Sequence, residues 1–317
     1  MDPIESFEKF DYQGYMASQF PLSEAKNPDL SRLLNHFDKI TALLMDCAIQ
    51  TVKIRKEEMD NVSILHNNTR YIIVCNFRLR AINLIKVFNE IVDIDGRAVF
   101  DEATANIITR SLLESYLVYF RLYNGCGGDA NLQELYFNLY DLSSVLQFIK
   151  YGKAMQGAQV SSFNEGNLKV QVKKLLAEIK NNIKFGTLSP AVKESIIKIS
   201  SGKQDYLSFI NFNKLIRESP LPTQFLTAYY SYASAFAHSE GFSSKFTQMI
   251  FESRERWIEM NANLKFRMIY ICLAVSSQFF LSYTQYDKTE LEDEKERDVW
   301  EVVSLSNYYL TALQRNK

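Results

Sequence analysis

The sequence predicts an all-α protein, a helical bundle of long antiparallel helices that carries a smaller helical insertion. Two observations predict it. No proline occurs between Pro28 and Pro190 and no glycine between Gly14 and Gly96, so the first half lacks the residues from which strand-connecting turns are built. Through the same region apolar residues recur at intervals of three and four, the period of a helix face and not of a strand.

The elements follow in chain order. Residues 1–26 read as a poorly patterned N-terminal arm, and 27–317 as a single all-α domain. A first helix follows Asp29, and a second, over about 66–93, stops before Asp95-Gly96. A third covers about 101–123 and is broken by Gly-Cys-Gly-Gly at 125–128. A fourth runs to about 153, and the small, polar, aperiodic stretch 154–166 reads as a loop. The insertion is expected over 154–218. It contains the amphipathic stretch 167–185 and a short helix over 189–200, opened by Ser189-Pro190. "SPLP" at 219–222 precedes a helix without charges, and two long helices over about 245–285 and 288–314 complete the chain. The acidic run "TELEDEKERD" at 289–298 suits a helix N-terminus and a solvated face.

Composition narrows the partners. With 317 residues, 47% hydrophobic and 23% charged, the chain has ample material for a large core. A formal net charge of −1 leaves no overall basic excess, so any surface for nucleic acid or an anionic membrane has to be local. The uncharged run "MIYICLAVSSQFFLSY" (268–283) is interrupted by Ser276, Ser277 and Gln278 and is shorter than the roughly 20 residues that span a bilayer. It reads as a buried core helix, and no membrane partner is expected. The acidic, aromatic start "MDPIESFEKFDYQGY" does not fit a signal or transit peptide. Cys47, Cys75, Cys126 and Cys272 are scattered, as are the three histidines, and no Glu-x-x-His motif occurs. Free thiols in a reducing cytoplasm, no metal and no cofactor are the expectation.

Two helices carry the chemistry. On the third, Ile108, Leu112, Leu113, Tyr116, Tyr119, Phe120 and Tyr123 cover one broad face. Arg110, Glu114 and Arg121 share the other, edged by Ile107, Leu117 and Val118. Arg110 and Glu114 stand four apart and can pair along the helix. Two readings stay open: an ordinary exposed pair, or a pair in a crevice between helices, where a charge persists only if it is partnered.

The second is the stretch Thr223–His238, which belongs to a run free of Asp, Glu, Lys and Arg from Ser219 to Ser239. Phe225, Tyr229, Tyr232 and Phe236 form an aromatic face, and Thr227, Ser231, Ser234 and His238 a polar stripe. The expectation is a helix shielded from water on every side, its polar stripe against Arg110 and Glu114 and His238 meeting Arg110. His238 stands at the C-terminal turn, where the helix favours a protonated imidazole, with Gly241 placed as the left-handed cap. His36 and His66 read as surface or satisfied side chains.

"TRSLLESYLVYFRLY" (109–123) resembles the Arg-x-x-x-Glu helix of a group of prokaryotic all-α proteins. "YYSYASAFAHSEGF" (229–242) resembles that group's later Tyr-x-x-x-Ser-x-x-x-His-Ser segment. The group is similar to the HEPN superfamily, helical bundles that are often dimeric and that include RNases and RNA-binding parts of toxin–antitoxin and anti-phage systems. The likeness spans roughly 70–285 and rests on Arg110, Glu114, Tyr230, Ser234, His238 and Ser239. It implies a homodimer that binds RNA or nucleotide, with metal-independent RNA cleavage in a defence or stress role. The site residues it implies are His238, Arg110, Glu114 and Ser234: His238 as general acid or base, Arg110 opposite the phosphorane charge, Glu114 orienting either one. The Arg-x(4–6)-His motif of the catalytic members is absent; Arg32 precedes His36 by one position too few. A site would therefore be assembled across helices.

One local surface fits a nucleic-acid partner. In "NLKVQVKKLLAEIKNNIKF", Leu168, Val172, Leu175, Ile179 and Ile183 make the expected buried stripe. Lys169, Lys173, Lys180 and Lys184 repeat its spacing one residue later, joined by Lys174. The same lysines also suit a solvated helix face. The alternative to an RNA-binding protein is a non-enzymatic helical interaction module whose polar stripe only fixes helix register.

Overall fold

The computed structural model describes residues 30–54, 61–89, 92–94, 97–154, 164–237, 254–287 and 293–315, with the single positions 245 and 248. The class is all-α. Ten α-helices are described: α1 Leu30–Ile54, α2 Asn61–Asn89, α3 Glu102–Tyr119, α4 Ala130–Ala154, α5 Glu165–Asn181, α6 Pro190–Ser200, α7 Phe212–Glu218, α8 Thr223–Ala237, α9 Arg254–Asp287 and α10 Asp293–Arg315. A small antiparallel hairpin, β1 Val92–Ile94 and β2 Arg97–Val99, precedes α3, pairing Val92 with Val99 and Ile94 with Arg97. The expected N-terminal arm, residues 1–26, lies outside the described residues.

Residues Val118–Glu218 form one compact unit, and the described residues up to Leu117 and from Ser219 form another. The first of these contains the segment 154–218 and also α4.

In the larger unit α1 and α2 each bury one face at helical spacing. On α1 this is Leu33, Leu34, Phe37, Ile40, Leu44 and Ala48, and on α2 Ile73, Val74, Phe77, Ala81, Leu84 and Phe88. Helix α1 packs against α2 and α9, and α9 against α10. The centre belongs to α9, where every residue from Met268 to Val275 is buried and Ser276 and Ser277 follow them. Ser277 donates to its own helix at Leu273 O, 2.5 Å away, so the hydroxyl adds no unmet polar atom. Phe279 joins α2 to α3, with its ring 5.0 Å from Phe77 and 5.7 Å from Tyr116. By length and composition Asn263–Asp287 is apolar enough to cross a membrane, and 72% of its most apolar stretch is buried in the protein.

The smaller unit begins where α3 widens into one π-helical turn, Phe120–Asn124. Gly127 (φ 56°) and Gly128 (φ 80°) then turn the chain through left-handed backbone into α4, a conformation costly for residues with a Cβ. Leu135, Leu139, Leu142 and Leu146 of α4 meet Leu175, Leu176 and Ile179 of α5 and Ile196 and Ile199 of α6. Ser189 caps α6, its hydroxyl accepting from Val192 N, and Pro190 stands in the first turn.

Four details differ from the sequence reading. The second helix does not run on to about 93: α2 ends at Asn89, and Val92–Ile94 is a strand of the hairpin. Ile183 is not in the buried stripe; it is 76% exposed, because α5 ends at Asn181 and Asn182 turns to extended backbone. Helix α8 is not shielded all round, since Gln224, Ala228 and Ser231 are exposed. Arg121 does not continue the Arg110–Glu114 stripe. From the π-helical turn it donates to Tyr136 Oη at 3.1 Å and Glu218 Oε2 at 3.0 Å.

Candidate functional site

Helix α3 presents a polar row at intervals of four: Glu102, Asn106, Arg110 and Glu114. Residues four apart stack on one face, so a neighbouring helix meets all of them along one line. That neighbour is α8, which supplies phenols. Tyr232 Oη donates to Glu102 Oε1 at 2.5 Å, Tyr229 Oη to Asn106 Oδ1 at 3.0 Å, and Tyr230 Oη to Glu114 Oε1 at 2.9 Å.

Arg110 and Glu114 do pair. Arg110 Nε donates to Glu114 Oε1 at 2.8 Å, and the side chains are 21% and 27% exposed. Arg110 Nη2 donates to Tyr230 Oη at 3.2 Å, and the guanidinium carbon stands 4.8 Å from the Tyr230 ring centroid. Both open readings of the pair are thus partly right: it lies between two helices, and water reaches it. Burial works against the Arg110 charge, but Glu114 and Tyr230 outweigh it and raise the guanidinium above its ordinary range. Burial first, then the bond to Glu114, pushes Tyr230 up to about 12, so its phenol stays a donor. Arg110 Nη1 has no hydrogen-bond partner among the described residues, which leaves one edge of a fixed, planar cation toward solvent.

The opposite end of the row is closed. Glu102 is 5% exposed and Asn106 is fully buried. Asn106 Nδ2 also donates to Glu102 Oε1 at 3.3 Å, while Glu102 Oε2 is buried without a partner among the described residues. Burial raises the Glu102 carboxyl from 4.5 to about 7, against the lowering effect of the Tyr232 and Asn106 bonds.

The hydroxyl stripe of α8 does not make the contact expected of it. Ser234 Oγ donates to Tyr230 O at 2.7 Å and Ser231 Oγ to Thr227 O at 3.2 Å, both bonds within their own helix, and Thr227 Oγ1 is buried without a partner among the described residues. Short hydroxyls reach their own preceding turn more easily than the next helix, and the longer tyrosines span the gap. His238, Ser239 and Gly241 lie outside the described residues, and with them the meeting of His238 and Arg110. Burial and then Arg32 lower the His36 imidazole below its ordinary range.

The lysine face belongs to the smaller unit. Lys169 pairs with Glu165 at 2.7 Å, Lys174 with Glu178 at 3.7 Å and Lys184 with Asp129 at 2.6 Å. Lys173 and Lys180 are exposed, and neither has an ion-pair partner among the described residues. Three of the five cations are thus already balanced by neighbouring acids.

A second polar centre escaped the sequence reading. Arg70 and Asp287 pair at 2.6 Å with side chains 1% and 2% exposed. Thr51 donates to Asp287 Oδ2 at 2.7 Å, Tyr283 Oη to Thr51 Oγ1 at 3.1 Å, and Arg70 Nη2 to Asn67 Oδ1 at 2.9 Å. The Tyr283 ring lies beside the guanidinium, its centroid 5.0 Å from Arg70 Cζ. This network ties α1, α2 and α9 together with both charges satisfied. It is closed to solvent and serves packing.

Among the described residues no three His, Cys, Asp or Glu side chains come together as a metal site. No protein-family model, no curated protein and no solved structure matches the chain.

Proposed function

We propose that this chain is a HEPN-like helical protein that binds RNA or nucleotide through a phosphate contact at Arg110. The observation that carries it is the partly exposed guanidinium, held by Glu114 and Tyr230, whose Nη1 has no hydrogen-bond partner among the described residues. A planar cation fixed in this way can donate two parallel bonds to a phosphate, with little side-chain entropy left to lose. Glu114 offsets part of the charge, so one such contact gives modest affinity. Lys173 and Lys180 offer a separate, salt-sensitive contribution.

The reading extends to metal-independent RNA cleavage. His238 would move the proton, Arg110 would face the phosphorane charge, and Glu114 would orient Arg110. The protein is read as a homodimer on the same resemblance, and as cytoplasmic on its four scattered cysteines. The test is direct titration of fluorescent single-stranded RNA and of a nucleoside triphosphate into the purified chain. Failure to bind either one sinks the proposal. RNA loss with the wild type and none with His238→Ala would support the catalytic extension, and no loss with either removes it.

One observation favours a second reading. The Ser231 and Ser234 hydroxyls are spent on their own helix, and every bond that the α3 row receives from α8 is a tyrosine bond. On that reading the row fixes helix register in a non-enzymatic interaction module, and RNA and nucleotide both fail to bind.

A further inference from the structure

The proposed phosphate contact does not use the closed end of the α3–α8 row. Glu102 is the first residue of α3 and is 5% exposed. Its Oε1 already accepts from Tyr232 at 2.5 Å and Asn106 at 3.3 Å, and its Oε2 has no partner among the described residues. A carboxylate here would leave one charged oxygen dry, whereas a carboxylic acid leaves only an unmet O–H, a much smaller cost.

Among the described residues no cation pairs with Glu102. From α8 the titratable neighbours are Tyr232 and Tyr229, both phenols raised by burial. From α9 they are Cys272, whose thiol is also raised by burial, Arg267, exposed and acting on Tyr232 at a distance, and Lys265. Lys265 is occupied elsewhere: it donates to Phe88 O at 3.2 Å and lies 4.6 Å from the Phe100 ring centroid. Immediately before α3, Asp101 is exposed and accepts from Thr104 N.

We propose that Glu102 is a proton-dependent latch that holds α8 against the first turn of α3. With the proton on Oε2 the acid is neutral, and Tyr232 and Asn106 fill Oε1. When the proton leaves to solvent, Oε2 needs water. Water reaches it when Tyr232 and its helix draw back from the first turn of α3. The latch bond to Tyr232 lies two residues along α8 from Tyr230, so one helix carries both contacts.

The direction in pH follows from linkage. The folded carboxyl is raised from 4.5 to about 7, so its contribution to the closed state is present in full below 4.5 and lost as pH rises through about 7. Between these limits the opening equilibrium rises about tenfold per pH unit, and above the upper limit it levels off.

The test is hydrogen exchange of α8 amides in the full-length protein from about pH 5 to 8.5, corrected for the intrinsic pH dependence of exchange. Protection in the wild type should fall about tenfold per unit up to near neutrality and then flatten, and Glu102→Gln should abolish that slope. Tyr232→Phe, which removes a bond that lowers the carboxyl, should move the break to higher pH. Where a variant fails to fold, carbon-13 titration of the wild-type Glu102 carboxyl decides. A midpoint near neutrality upholds the latch. A midpoint near 4.5, or a wild-type exchange slope unchanged in Glu102→Gln, overturns it.

Discussion

Tyr230 and Glu114 meet at 2.9 Å across the α3–α8 contact, and the same phenol oxygen accepts from Arg110 at 3.2 Å. One tyrosine therefore orients both members of the ion pair that its helix faces. A surface i,i+4 pair alone holds a guanidinium loosely. The third partner is what makes Arg110 a fixed group.

Tyr230→Phe should separate these effects. It keeps the ring under the guanidinium and removes both oxygen bonds, so the loss of stability should be about 1 kcal/mol in urea unfolding. RNA or nucleotide affinity should fall as Arg110 gains freedom. A variant as stable as the wild type would show that the phenol oxygen carries no net weight.

The helices were legible because nothing in the first half interrupts them, and Gly127 and Gly128 end the α3 segment where the sequence suggests. The hairpin was missed, because the second helix was carried to about 93, although Val92–Ile94 and Arg97–Val99 flank an Asp-Gly pair, a two-residue turn signal. The pairing of Arg110 with Glu114 was readable from spacing. Its partner on α8 was harder, because the wheel left Tyr230 off both the aromatic face and the hydroxyl stripe, and only the resemblance named it. The row Glu102, Asn106, Arg110, Glu114 has the regular interval of four that would have exposed it. Ile183 was misplaced because a wheel drawn past Asn181 assumes a helix that has ended. The Arg70–Asp287 pair joins residues 217 positions apart, and no local pattern announces a contact of that range.

That pair should be costly to break. Asp287→Ala strands the Arg70 guanidinium in a dry core and should remove about 3–5 kcal/mol of stability, measured by chemical unfolding. A change below about 1 kcal/mol would mean that water reaches Arg70.

The thiols should react unequally. Burial pushes Cys126 and Cys272 up to about 12, so at about pH 8 neither offers thiolate. Cys75 is only half-buried. Iodoacetamide followed by mass spectrometry of peptides should label Cys75 first and spare Cys126 and Cys272 until the protein is unfolded. Native labelling of Cys272 would contradict the packing of α9 against α3.

The central claim is that Arg110 touches phosphate, and fluorescence anisotropy with labelled single-stranded RNA tests it most directly. Wild type, Arg110→Lys and Arg110→Ala would each be titrated at several salt concentrations. The expected result is affinity lowered by about tenfold or more in Arg110→Ala, with the salt slope reduced by about one, and an intermediate loss in Arg110→Lys. Equal affinity and equal salt dependence in wild type and Arg110→Ala would contradict it.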